Sequence, residues 1–163
     1  MAMPRMPRKL VPKSRLGKGG AILALAVVTV GAFEGVRTAA YKDVVGVPTV
    51  CFGETRGVQM GDKHTMAECK EMLGGALAEF SAGLDKCLKV ETPDKTYVAF
   101  VSWAYNVGLG AACRSTLVRK ANAGDLVGAC NQLPRWNRAG GRVWRGLTRR
   151  RTDERAMCLE GLR

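Results

Sequence analysis

The sequence predicts an α+β fold that is mainly helical, with one short β-hairpin early in the chain. Three observations predict it. From Val44 to Gly53 the run VVGVPTVCFG is rich in β-branched residues and punctuated by Gly and Pro, the composition of strands around a turn. Thr65-Met66-Ala67-Glu68 has the form of a capping box; behind it Met72, Ala76, Phe80, Leu84 and Leu88 recur four apart, which predicts a long helix with that face in the core. From Tyr97 to Val107 the chain is apolar nearly all round, the pattern of a central buried helix.

Residues 1–18 carry six basic side chains (Arg5, Arg8, Lys9, Lys13, Arg15, Lys18), no acidic ones and several prolines, and are expected to be a disordered or membrane-apposed basic tail. Residues 19–33, GGAILALAVVTVGAF, are uncharged. As a helix they reach only about 22 Å, against a hydrocarbon core of about 30 Å. Three readings compete: a cleaved signal peptide, a buried core helix, and a signal anchor that enters the membrane and later leaves it. Cleavage after Ala32 removes the helix that positions Glu34, which favours the releasable anchor.

Arg56 to His64 reads as a polar loop with room for a short third strand, and the capped long helix follows. Thr92-Pro93 reads as N-cap and first helical residue of the buried helix, which Gly108 and Gly110 end. Short helices closed by Gly124, Pro134 and Gly140-Gly141 precede a basic helix from Thr148 to Leu159. Trp103, Trp136 and Trp144 are expected to be packing residues. Arg149-Arg150-Arg151 includes at least one member of a solvated basic face.

Six cysteines form no C-x-x-C, and His64 is the only histidine, so no metal site is expected. An even count in a small basic chain points to an oxidising compartment and at least one disulfide, with Cys113–Cys130 as the first expectation because a short helical hairpin between them would bring them together. The net charge of +12 suits an anionic polymer. No KH, RRM, zinc-finger or homeodomain pattern accompanies it, and nucleic acid is not the expected partner. A protein that only perforates membranes needs a second apolar segment, and no uncharged run after residue 33 is long enough.

The chemistry centres on EGVRTAAYKDVVGVPTVCFGET, residues 34–55. Cleaving a glycosidic bond with inversion needs one carboxylic acid to protonate the leaving oxygen and a second carboxylate to activate water on the opposite face of the sugar. Glu34, near a helix end with Gly35 beyond it, and Asp43, on the hairpin, supply the pair. The negative end of the helix dipole and burial both favour the protonated form of Glu34, as a general acid requires. Asp43, more exposed, is expected to stay ionised and hold the attacking water, with the Thr49 hydroxyl orienting it.

The spacing Glu34, Asp43, Thr49, followed by Cys51 and Gly53, resembles the catalytic signature of the phage lysozymes related to T4 lysozyme. So do TMAECKEML (65–73), FVSWAYNVG (100–108), STLVRKANAGD (115–125), RWNRAGGRVWRGL (135–147) and RRTDE (150–154), in that order. The resemblance implies a two-lobed lysozyme fold, in which a small hairpin-bearing lobe is joined by the long helix to a larger helical lobe, with the cleft between them. It implies an inverting muramidase over residues 34–163, cutting the β-1,4 bond between N-acetylmuramic acid and N-acetylglucosamine of peptidoglycan, monomeric and without metal or cofactor. Tyr105, Thr116 and Arg150 are the implied substrate-side residues, Arg150 pairing with Glu34 across the cleft and opposing the rise in its pKa. Glu54 departs from the pattern, since many relatives carry His there. The 19–33 segment resembles that of secreted endolysins with a signal-arrest-release anchor. It implies a single-pass protein in the host inner membrane, N-terminus cytoplasmic and catalytic domain periplasmic, freed to the periplasm when active.

Overall fold

The computed structural model describes residues 14–163. Helix α1 (Gly20–Glu34) leads into the antiparallel hairpin β1 (Arg37–Lys42) and β2 (Pro48–Cys51). Then follow the long α2 (Met66–Asp85), the buried α3 (Asp94–Val107), the short α4 (Leu109–Cys113), α5 (Thr116–Asn122) and α6 (Leu126–Cys130), a second hairpin β3 (Arg138–Ala139) and β4 (Arg142–Val143), and α7 (Arg145–Glu160). This is the mainly helical α+β fold expected, a small hairpin lobe joined by α2 to a larger helical lobe.

The hairpin register pairs Arg37 with Cys51 and Tyr41 with Thr49, with an irregularity between them. The awaited third strand is only an isolated bridge from Ala39 to Lys63. The capping box of α2 forms as read: Thr65 Oγ1 accepts from the Glu68 backbone N–H at 3.1 Å, and the Glu68 carboxylate accepts from the Thr65 N–H at 2.7 Å. The four-apart stripe is displaced, however. Cys69, Leu73, Leu77, Ser81 and Leu84 are the buried face, while Met72, Ala76 and Phe80 turn to an open cavity, because α2 is apolar on two faces and only one meets the core. Helix α3 contributes Tyr97, Val98, Phe100, Val101 and Trp103 to the centre and packs on α7. It begins at Asp94, later than read, because the Thr92 hydroxyl serves as acceptor for Arg15 Nη1 at 3.0 Å instead of as a cap. Gly108 ends it with φ 92, and Gly110 lies inside α4.

The single-pass inner-membrane placement, cytoplasmic N-terminus and periplasmic domain on either side of residues 19–33, is corrected. That stretch folds as α1 against α2 and α3, with Ala26 and Val30 fully buried, and no helix among the described residues is long and apolar enough to cross a membrane. Of the three readings, the packed helix is the one this structure has. Residues 1–13 of the expected basic tail lie outside the described residues. Ser14 and Leu16 pack: Leu16 is fully buried and its N–H donates to Ser81 Oγ at 3.2 Å.

All six cysteines are paired, as Cys51–Cys69, Cys87–Cys113 and Cys130–Cys158. The expected Cys113–Cys130 pair is therefore corrected. No single hairpin joins those two residues; α4 lies against α2, bringing Cys113 to Cys87, and α6 lies against α7, bringing Cys130 to Cys158. Gly140-Gly141 does not close a helix but forms the turn of β3–β4, with φ 58 and 77, the double positive φ that a two-residue hairpin turn requires. Trp103 is fully buried with Trp136 edge-on at 5.3 Å, whereas Trp144, expected to pack, is 51% exposed beside that turn.

Candidate active site

Glu34 is the last residue of α1, and Gly35, at φ 69, turns the chain out of the helix into β1. One carboxylate oxygen accepts from Arg150 Nη1 at 2.7 Å; the Glu34 side chain is 25% exposed and that of Arg150 7%. The acid thus reaches solvent while its partner does not. Arg150 is held on every side: Nε donates to Glu154 Oε1 at 3.0 Å, Nη2 to the Ser102 carbonyl at 3.0 Å, and the guanidinium lies 4.8 Å over the Phe33 ring.

Behind it is a buried ionic network. Glu154 Oε1 also accepts from the Ser102 hydroxyl at 2.7 Å, Glu154 Oε2 pairs with Arg151 Nε at 2.7 Å, and Arg151 Nη2 donates to Asn106 Oδ1 at 2.8 Å. Burial pushes the Glu154 carboxyl up against the opposing pull of Arg151, Ser102 and Arg150, and pushes the Arg151 guanidinium down against the pull of Glu154. The spacing Arg150-x-x-x-Glu154 is the i,i+4 arrangement that puts the two on one face of α7. That spacing was the available signal for Glu154; Ser102 and Asn106 had none, being brought in by the packing of α3 on α7.

Tyr105, from the last turn of α3, faces the same space. Its hydroxyl is pushed up by burial and then by the charges of Glu34 and Glu54, and its ring meets Phe80 edge-on at 4.9 Å. A cavity of about 430 Å³ opens at Glu34, bordered by Val36, Arg37, Tyr41 and Phe52. A neighbouring one of about 350 Å³ is bordered by Phe52, Glu54, Met72, Phe80 and Tyr105. Phe52 and Gly53 border both, so the two form adjoining sections of the trough between the lobes. Glu54 does find an ion pair, with Arg56, which also reaches Glu79 at 3.2 Å.

Asp43 sits at the hairpin turn. Its Oδ1 accepts from the Val45 and Val47 N–H groups at 2.9 and 2.8 Å, which fixes the side chain and leaves Oδ2 without a protein partner among the described residues. Thr49 is buried in β2, and its hydroxyl donates to the Val47 carbonyl at 2.9 Å. Neither borders the cavity at Glu34. Thr116 opens α5, and its hydroxyl accepts from Arg119 Nη2 at 3.1 Å, away from these groups. The structure therefore joins Glu34, Arg150 and Tyr105 in one place, sets Asp43 and Thr49 together on the adjacent hairpin, and brings Thr116 to neither.

The phage lysozyme family matches residues 31–154. A SAR-endolysin of Bacteriophage PS119 is 46% identical over 149 residues, 88% of this chain and 89% of its own length. Among solved structures, the active form of the phage P1 endolysin superposes with a TM-score of 0.78 at 27% identity, covering 91% of this chain and 90% of that one. The secreted inactive form of the same endolysin gives 0.51 at 26% identity, over 66% and 77%. Fold and relatives together define a lysozyme enzyme. The chain belongs to the phage lysozyme family.

Proposed function

We propose that this endolysin hydrolyses the β-1,4 bond between N-acetylmuramic acid and N-acetylglucosamine of peptidoglycan with inversion, and so lyses the bacterial host. The observation that carries the reading is Glu34 at a helix end in the trough, a quarter exposed and fixed in one rotamer by the buried Arg150. In this scheme Glu34 delivers its proton to the leaving glycosidic oxygen. Asp43, its Oδ1 held by two backbone N–H groups, takes the proton of the attacking water on its free oxygen Oδ2, with the Thr49 hydroxyl on the same hairpin orienting that water. Arg150 orients Glu34, and the phenol of Tyr105, kept protonated, offers a hydrogen-bond donor to the sugar.

Control follows from where Glu34 sits. A chain in which α1 is undocked has no acid in its cleft, so an undocked state is secreted without activity and docking of α1 completes the site. The closer likeness to an active endolysin form than to a secreted inactive one supports the arrangement described here as the competent one. Three disulfides suit work in an oxidising compartment.

The test is release of reducing sugar from purified peptidoglycan, with the anomeric configuration of the product read by NMR. Glu34→Gln keeps the shape and removes the transferable proton, so the rate should fall about 10²- to 10⁴-fold with unchanged circular dichroism. A folded Glu34→Gln protein that clears peptidoglycan at the wild-type rate sinks the assignment, and a product that retains its configuration sinks the inverting scheme.

A further inference from the structure

Between Asp125 and Asp153 the chain has no acidic residue, yet it carries arginines at high density. Arg150 and Arg151 are absorbed by the buried network. Arg138, Arg142, Arg145 and Arg149 are exposed, and none of them is in an ion pair among the described residues. Arg142 lies over Trp144, Arg145 follows it in the chain, and Arg138 is on the strand paired with the one that leads into it. A tryptophan half open to solvent, in a chain whose other two are packed, is the exception that asks for a ligand.

This surface is built and not merely exposed. The Trp144 indole Nε1 donates to the Ala139 carbonyl at 3.0 Å and its backbone N–H to the Asn137 carbonyl at 3.0 Å, so the ring is clamped to the β3–β4 turn. Arg142 lies 5.6 Å from the ring centroid. Asn137 Nδ2 donates to Thr148 Oγ1 at 3.1 Å and ties the hairpin to the first turn of α7. An aromatic plane already fixed in this way loses little conformational entropy on binding. Its place is also informative. Trp144 directly precedes α7, and Arg150 follows six residues later, about 9 Å along the helix at 1.5 Å per residue. The platform and Arg150, the partner of Glu34, are thus mounted on one helix.

We propose that the β3–β4 hairpin and the start of α7 form a second peptidoglycan-binding surface beside the cleft, in which Trp144 carries a sugar ring and Arg138, Arg142 and Arg145 take carboxylates of the peptide stems. The inference rests on the hydrolytic reading above and adds to it the part of the wall that the cleft does not touch. The chemistry fits in two ways. A pyranose offers an apolar face to an indole, and in intact wall the lactyl carboxyl of each muramic acid is tied up in the amide that carries the stem, so the groups on peptidoglycan that attract unpaired guanidiniums are the carboxylates of the stems. The surface then recognises wall with free stem carboxylates in preference to wall without them and presents it to Glu34, whose partner Arg150 is on the same helix as the platform.

The experiment compares wild type, the triple variant Arg138→Ser/Arg142→Ser/Arg145→Ser, Trp144→Ala and Trp144→Phe on two substrates: intact sacculi, and sacculi whose stem carboxylates have been converted to neutral amides with a carbodiimide and an amine. Exposed ion pairs contribute about twofold each, so the triple variant should lose about tenfold in kcat/KM on intact sacculi, keep its kcat at saturation, and change little on the amidated sacculi. The wild-type preference for intact sacculi should shrink as salt rises. Trp144→Ala should lose on both substrates, with Trp144→Phe restoring most of the rate. Equal losses of the triple variant on both substrates, or no loss on either, overturn the proposal. So does an unchanged rate on sacculi together with lost binding to a single-stranded oligonucleotide, which would assign the surface to nucleic acid. A wild-type protein inactive on both substrates would instead refute the hydrolytic reading itself.

Discussion

The two ends of α1 are fastened in different ways. At the N-terminal end the Arg15 backbone N–H donates to Asp85 at 3.0 Å, its guanidinium donates to Thr92 at 3.0 Å and Asp94 at 2.8 Å and lies 4.5 Å over Tyr97, and Leu16 is fully buried. At the C-terminal end Arg150 alone makes the polar attachment, pairing with Glu34 and lying 4.8 Å over the Phe33 ring. Between them only Ala26 and Val30 are fully buried. The difference separates anchoring from chemistry: contacts remote from the cleft hold the helix, which lets the acid at its other end stay open to substrate. The rigidity at that end comes from the partner: Arg150 is locked by Glu154 and Ser102 and in turn fixes Glu34.

The largest effect should come from breaking that lock. Glu154→Leu leaves Arg151 buried without its counter-charge and frees Arg150 from its Nε contact, and breaking a buried pair in this way costs about 3–5 kcal/mol. Urea unfolding should show the loss, and activity of the folded fraction should also fall. Full stability with full activity would mean that the network does not hold Arg150. Next comes the other end. Leu16→Ala removes a fully buried side chain from the clasp, at a cost of about 2–5 kcal/mol by the general range for such truncations. It touches nothing near Glu34, so reduced activity at temperatures where the rest of the domain remains folded by near-UV circular dichroism would show that the clasp positions the acid; unchanged activity would show that Arg150 suffices. Thr65→Ala is the control. It removes the capping box of α2, costs about 1 kcal/mol in thermal unfolding, and should leave the rate at both ends' mercy unchanged.

The same contrast explains what the sequence could tell. Glu34 at a helix end, the hairpin and the capping box are local features, written in Gly35, in the Gly and Pro of residues 46–53 and in Thr65-x-x-Glu68. The clasp was not legible, because the partners of Arg15 and Leu16 lie 65 to 79 residues away and a basic, Pro-interrupted stretch reads as a tail. For the same reason Thr92 looked like a cap. Helix α2 shows another limit: Met72, Ala76 and Phe80 are as apolar as Leu73 and Leu77, and periodicity does not say which apolar face meets the core and which meets a cleft. The disulfide pairs and the exposure of Trp144 were likewise set by how α4, α6 and the second hairpin pack.

The smallest effect is a spectroscopic one, and it reads the two ends of α1 separately. Tyr97 lies under Arg15 and Tyr105 faces Glu34. Both phenols are pushed up, in each case first by burial; Tyr97 is raised further by its hydrogen bond to Asp85, and Tyr105 by the charges of Glu34 and Glu54. A phenol whose folded pKa lies above the unfolded value contributes stability that is fully present below the ordinary tyrosine range and is lost as pH rises through the folded value, because the unfolded chain gives up its proton first. Urea midpoints should therefore decline with pH on the alkaline side. Alkaline ultraviolet titration of variants then separates the reporters. Glu34→Gln deletes a negative charge beside Tyr105 and should bring that phenol down while Tyr97 stays. Arg15→Ala deletes a positive charge over Tyr97 and should raise Tyr97 further while Tyr105 stays. A Glu34→Gln protein whose tyrosine titration is indistinguishable from wild type would mean that the acid does not face Tyr105, and a shift of both phenols in either variant would mean that the two ends of α1 are coupled rather than independently held.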